Sequence, residues 1–321
     1  MMKNTVGKKR AVASILIVSI LVVVMAKSNT ISWQGVVRSL QTIGVQNFVL
    51  ALCMALGQYV CVALRFVVLI PEACTSMFQV SRIYTNGQLF NHLFPARAGD
   101  LYKIIALKRA ADDNSFSTAY VVSALIIERL VSTLVLVLLI VLLIDWSTIR
   151  VADLSLVDRA GQMKIALVAA TLSGVALYFV QKKSPRFHAW LVELKRSFLT
   201  ILNLRRFVLV VAMSAVMWSL EVLSMIFLAA PLGIDLQLGQ GLFILLLLNI
   251  GIAVPVTLGN FGTYEAVLVL GLGLWGVGTN DGIAIAISHH FLQIFSLLIL
   301  AGIFNTVNLK ASKRRIPAIP E

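Results

Sequence analysis

The sequence predicts an all-α polytopic membrane protein, and three observations predict it. Of 321 residues, 59% are hydrophobic and 13% are charged, against about 25% charged in an average soluble chain. Mean hydropathy is +0.93. The apolar residues gather in runs at 11–26, 45–70, 117–144, 164–180, 207–230 and 282–306, each near or above the roughly 17–25 residues that cross a bilayer. A soluble fold of this length has no way to wet so much apolar surface. A soluble enzyme, a secreted disulfide scaffold and a disordered regulator are excluded.

The elements follow in chain order. Lys3, Lys8, Lys9 and Arg10 precede the first run. That start resembles a signal peptide, but no small-x-small cleavage site follows, so 11–26 is read as an uncleaved span. The other five runs are read as full spans.

Two further stretches are apolar but interrupted. One runs from about Tyr84 to Ala111 and breaks at Pro95-Ala-Arg97-Ala-Gly99-Asp100. The other runs from about Gly239 to Val277 and breaks at Pro255-Val-Thr-Leu-Gly259-Asn260-Phe-Gly262. Both return the chain to the side it came from. The first is a re-entrant hairpin; the second is a hairpin or two short spans, giving six to eight spans in all.

Charge sets the orientation. With the N-terminus inside, 1–10, 71–116, 181–206 and 307–321 are inner segments holding 20 of the 27 Lys and Arg residues. The outer segments hold 5. Cytoplasmic loops carry the basic excess, so both termini are expected in the cytoplasm of an inner-membrane protein. The net charge of +13 has the same origin, with anionic lipid as its counter-surface. Nucleic acid is not an expected partner, because no basic domain stands outside the apolar segments.

The breaks share a skeleton. Pro95, Gly99 and Asp100 fall on Pro255, Gly259 and Asn260 at an offset of 160, and the same offset carries Arg129 onto His289. One membrane domain, 1–321, is thus expected to contain two pseudo-repeats, 11–144 and 164–306, related by inversion. Inverted repeats with matching Pro/Gly breaks point to a transporter's central site. Irregular backbone survives at membrane depth only where protein or water satisfies it, and half-helix N-termini offer N–H donors to an anion.

Charged side chains at membrane depth cost about 2.5–3.5 kcal/mol each on insertion scales, so they mark sites. Arg97 sits in the first break, and its planar guanidinium suits a phosphate or carboxylate. Asp100 is expected to pair with Arg97 until a headgroup arrives. Asn91, Gly99, Gly259, Asn260, Gly262 and Glu265 complete the expected substrate site, with Asn91, Asn249 and Asn260 satisfying free backbone groups. Glu128, Arg129, Glu221 and His289 are candidates for a proton relay; buried structural ion pairs are the competing expectation. Arg65 is expected to snorkel to inner headgroups. Segment 181–206 carries seven basic residues, with Phe187, Trp190, Leu191, Leu194, Phe198 and Leu202 on one face. It is read as an amphipathic anchor on the inner leaflet; 307–321 is a basic tail.

No metal or cofactor is expected. Cys53, Cys61 and Cys74 form no CxxC or Cys/His pattern and read as small packing residues. Asp112-Asp113 reads as a helix cap.

The Gln88–Leu101 segment with its Pro-Ala-Arg-Ala-Gly-Asp core, the Glu128-Arg129 span and Gly259-x-x-Gly262-x-x-Glu265 resemble the lysylphosphatidylglycerol synthase transmembrane-region family over most of the chain. Asp100 stands where that family usually has Glu. Leu258 and Asn260 stand where it commonly has Pro and Gly. The resemblance implies a flippase-like protein handling an envelope lipid or glycolipid, alongside enzymes of envelope-lipid biosynthesis. The synthases' aminoacyl-transfer domain is not seen after the last span, so synthesis of lysyl-phosphatidylglycerol is not expected. The leading expectation is a lipid translocator and no enzyme. A non-transporting scaffold of an envelope-glycan pathway and an integral-membrane transferase are the alternatives.

Overall fold

Helix is the regular structure of every described segment of the computed structural model. It describes residues 31–70, 76–94, 97–110, 118–145, 191–192, 195, 199, 203–252 and 257–313. The spans expected at 11–26 and 164–180, nearly all of 181–206, the end of the tail from 314, Pro95, Pro255, Cys74 and Asp112-Asp113 lie outside the described residues.

Helix α1 is Trp33–Leu69. Ser32 caps it, its hydroxyl accepting from the Gly35 N–H at 3.1 Å. Gly44, at φ 67°, kinks it, one residue before the apolar run that starts at 45. Helices α2, Met77–Leu93, and α3, Ala98–Ala110, flank the first break. Phe94 is extended, as a residue before proline must be. Helix α4 is Thr118–Leu143 and α5 is Leu204–Ala229. Asn203 caps α5 by accepting from the Arg206 N–H at 2.8 Å. Helices α6, Leu238–Gly251, and α7, Thr263–Gly273, flank the second break. The last is α8, Thr279–Lys313.

Four of these are long and apolar enough to cross a membrane: α1, α4, α5 with its terminal turn, and α8. They coincide with four of the expected spans. At about 1.5 Å per residue, α6 and α7 reach roughly 21 and 16 Å. Each falls short of the ~30 Å hydrocarbon core, and the two pack side by side. The stretch 239–277 thus contains two short apolar helices that pack against each other.

The packing is reciprocal. Helix α2 lies on α8 and α6 lies on α4, so each hairpin leans on the long helix that follows the other hairpin. The second arms, α3 and α7, touch the helix that follows their own, α4 and α8. Helices α1 and α5 pack together along the centre. Their N-terminal ties fix direction: the Ser32 N–H donates to Asn280 Oδ1 at 3.0 Å and the Ser39 hydroxyl to Asp281 Oδ1 at 2.6 Å. Helices α1 and α8 thus run parallel, as the charge pattern requires. Val121, Ile127, Met225, Leu228, Leu242 and Leu245 are among the fully buried residues of one continuous apolar core.

Cys61 is half-buried, but Cys53 is exposed on α1. The packing role expected of Cys53 is corrected: it lies on a face that no described residue covers.

Candidate functional site

The arms of the first hairpin meet through glycine. A Cβ on Gly99 would stand 1.7 Å from the Gly87 carbonyl oxygen, and one on Gly87 would strike the Lys103 side chain. This approach brings four polar side chains of α2 and α3 together. Asp100 Oδ1 accepts from Asn91 Nδ2 at 3.0 Å and from Lys103 Nζ at 3.1 Å. Gln88 Oε1 accepts from the same two groups, each at 3.2 Å. Lys103 is fully buried and lies 4.2 Å from the centre of the Tyr84 ring. The cation is held by one carboxylate, one amide oxygen and one aromatic face.

The network continues into the long helices. Arg129 donates to Asp100 Oδ2 at 2.7 Å. Gln88 Nε2 donates to the Tyr84 hydroxyl at 2.9 Å, which donates to Glu128 Oε1 at 2.8 Å. Glu128 pairs with Arg65, and Arg65 also donates to the Ser132 and Ser214 hydroxyls at 2.9 and 3.0 Å.

Two expectations change here. Asp100 does not pair with the Arg97 side chain; its carboxylate holds Asn91, Lys103 and Arg129, and Arg97 gives it only a backbone carbonyl at 3.0 Å. A guanidinium three residues back on a tight turn loses to an amine one helical turn ahead on the same face. Arg65 does not snorkel: it is 2% exposed and paired across helices with Glu128. Asn91 is also spent on side chains rather than on free backbone, and Asn249 donates to the Leu245 carbonyl one turn back in its own helix, at 2.8 Å, and not to a freed group at the break.

The second hairpin turns on backbone geometry. Gly259, Asn260 and Gly262 all have positive φ, at 61°, 60° and 83°. Glu265 reaches back and accepts from the Gly262 N–H at 2.6 Å, closing the start of α7. Its other oxygen pairs with His290 Nδ1 at 2.7 Å. The neighbouring His289 is fully buried. The Ser224 hydroxyl, which donates to the Glu221 carbonyl at 2.7 Å, lies 3.1 Å from His289 Nε2, and the Gln293 amide nitrogen lies 3.4 Å from the same atom. The Tyr264 hydroxyl lies 2.7 Å from His289 Nδ1.

A cavity of about 500 Å³ opens between the hairpins. Arg65, Arg97, Arg129, Glu128, Glu221, Asn91, Asn260 and Tyr264 all line it. Of the expected site residues, Gly99, Asp100, Gly259, Gly262, Glu265 and His289 support its wall from behind. The four relay candidates do not form one chain: Glu128 is held by Arg65, Arg129 by Asp100, and His289 by Tyr264 and Ser224. Among the described residues no group of three or more His, Cys, Asp or Glu gathers as metal ligands.

Residues 11–301 match the family described as the lysylphosphatidylglycerol synthase transmembrane region. The chain belongs to that family. A UPF0104 membrane protein of Methanocaldococcus jannaschii is 22% identical over 217 residues, which is 66% of this chain and 91% of that protein. No solved structure matches. The family is one of flippase-like membrane modules, and the cavity is what this member builds between its two broken segments.

Sequence reasoning passed over the roles of Gln88, Lys103 and Tyr84, and marked His290 only as a histidine at membrane depth beside His289. Lys103 was within reach, since it stands one turn after Asp100 on the same helical face. Tyr84 and His290 acquire partners only through tertiary packing.

Proposed function

We propose that this protein moves a lipid with an anionic headgroup across the cytoplasmic membrane, the headgroup travelling through the cavity while the tails stay in lipid. The observation that carries the reading is the charge of that cavity's first wall. Glu128 neutralises Arg65. Asp100 is shared by Lys103 and Arg129, and Arg97 has no carboxylate partner among the described residues. Two positive charges are left over, beside a broken helix, at membrane depth. Arg97 and the partly exposed Arg129 offer a phosphate two guanidinium forks.

The reciprocal packing of the hairpins supports an inverted repeat, 11–144 against 164–306, whose halves rock to expose the cavity alternately. Both termini face the cytoplasm in this arrangement, with six full spans and two re-entrant hairpins. Either a phospholipid or a polyprenyl-phosphate glycolipid presents the required headgroup. Enzymes that make envelope lipids are the matching partners.

The test is native mass spectrometry of lipids retained by purified protein, wild type beside Arg97→Ala. The expected result is an anionic lipid held by the wild type and lost from a variant that still inserts. Identical bulk lipid in both would remove Arg97 from the binding role and favour a non-transporting scaffold.

A further inference from the structure

The carboxyl groups around the cavity are each engaged by a partner, with one exception on its second wall. Glu221 lies midway along α5, well inside the apolar length of the helix, and its side chain lines the cavity. Among the described residues its carboxyl has no hydrogen-bond or ion-pair partner; only its backbone carbonyl is used, by Ser224. The other carboxyl groups near the hairpins are all engaged: Glu128 by Arg65, Asp100 by Lys103 and Arg129, Glu265 by His290.

The elements packed on α5 offer Glu221 no free cation. From α1 come Tyr59, hydrogen-bonded to His92 at 3.2 Å, and Arg65, committed to Glu128. From α4 come Glu128 itself and Arg129, committed to Asp100. Helix α8 presents His289, whose two ring nitrogens are occupied by Tyr264 of α7 and by Ser224 of α5 itself. Helix α6 presents the amide Asn249. An isolated carboxylate in such surroundings is costly, and the carboxyl group avoids that cost by keeping a proton.

We propose that Glu221 is a proton-binding site and that a proton accompanies the headgroup through the cavity. The step balances simply. With the cavity open to one side, the Glu221 carboxylate takes a proton from water and forms an O–H bond. When the cavity opens to the other side, that bond breaks and the proton leaves to water there. An anionic headgroup held by Arg97 and Arg129 shares the cavity with Glu221, so the two negative charges repel. Headgroup binding therefore favours the protonated form, and by reciprocity protonation favours headgroup binding. Anion and proton travel in the same direction. This rests on the translocator reading above.

The experiment uses the full chain in vesicles of phosphatidylethanolamine and phosphatidylglycerol, with a trace of tail-labelled phosphatidylglycerol and dithionite as the outer-leaflet quencher. Acidifying the outside should speed inward movement of the probe by about fivefold or more in the wild type. Glu221→Asp should keep that response. In Glu221→Gln, fixed in the neutral state, the rate should ignore the gradient. A wild-type rate indifferent to the gradient, or a gradient response that survives in Glu221→Gln, overturns the proposal. If the wild type moves no probe at all, the translocator reading fails instead, and the proton site is then judged alone. Infrared difference spectra at neutral pH should show a protonated-carboxyl band in the wild type that Glu221→Gln lacks; identical spectra overturn the proposal.

Discussion

The two broken hairpins solve one problem in different ways. Each must turn the chain at membrane depth with its backbone groups satisfied. The first is braced by side chains: Asn91, Gln88, Asp100 and Lys103 bond to one another in a closed polar cluster, and one non-glycine residue, Arg97, is held at φ 53°. The second does so with backbone: two glycines and an asparagine at positive φ, closed by one glutamate. The cation-rich wall belongs to the first. In the second, the one carboxylate, Glu265, is held by His290 and the Gly262 N–H. A region that binds charge needs fixed side chains behind it, whereas a region that mainly closes needs only a compact turn.

The largest test of this contrast is Gly99→Val. A branched side chain cannot fit where even a Cβ would stand 1.7 Å from the Gly87 oxygen, so the arms of the first hairpin must separate. Loss of the monodisperse peak in detergent chromatography is expected; a normally folded protein would show that the close approach is dispensable. Lys103→Met is the next step down. It keeps the volume but strips Asp100 and Gln88 of a buried cation, and the expected loss is about 1.5–3 kcal/mol, read as a lower melting temperature. Asp100 retains Arg129 and Asn91, which is why the loss is not larger.

In the second hairpin the matching change is milder. Glu265→Gln keeps an oxygen for the Gly262 N–H and gives up only the charge beside His290. About 1 kcal/mol should go, and an effect as large as that of Lys103→Met would erase the distinction between the two turns. The smallest effect has the opposite sign. Arg97→Gly relieves a left-handed conformation that costs an L-residue roughly 1–2 kcal/mol, so the melting temperature should rise slightly. The same variant should lose retained anionic lipid. A fall in stability would mean that the Arg97 side chain holds the turn rather than a ligand.

How much of this was legible follows from which forces act locally. The four described spans were visible because hydropathy is a property of consecutive residues. The kink at Gly44 was visible only as the start of an apolar run. The breaks were visible because Pro and Gly act on their own backbone, and Asp100 and Glu265 were marked by charge at depth. Their partners were not marked. Asp100 sits next to Arg97 in sequence and binds Arg129, 29 residues on, because α4 passes the end of α3. Glu128 and Arg65 are 63 residues apart and meet only when α1 and α4 pack. Tertiary neighbours of this kind leave no periodic trace in the chain.

One contact has a consequence for energetics. Gly259 lies so near the end of α2 that a Cβ there would be 2.8 Å from the His92 carbonyl oxygen. The tips of the two hairpins therefore abut. In the proposed translocation this junction is the seal between the two faces, and voltage falls mostly across the thinnest insulating layer. A charge passed from one side of such a seal to the other feels most of the membrane potential, about 2.3 kcal/mol per 100 mV, as a single step and not as a gradual slope. Under that proposal, charge transfer should be tuned by what sits at one glycine.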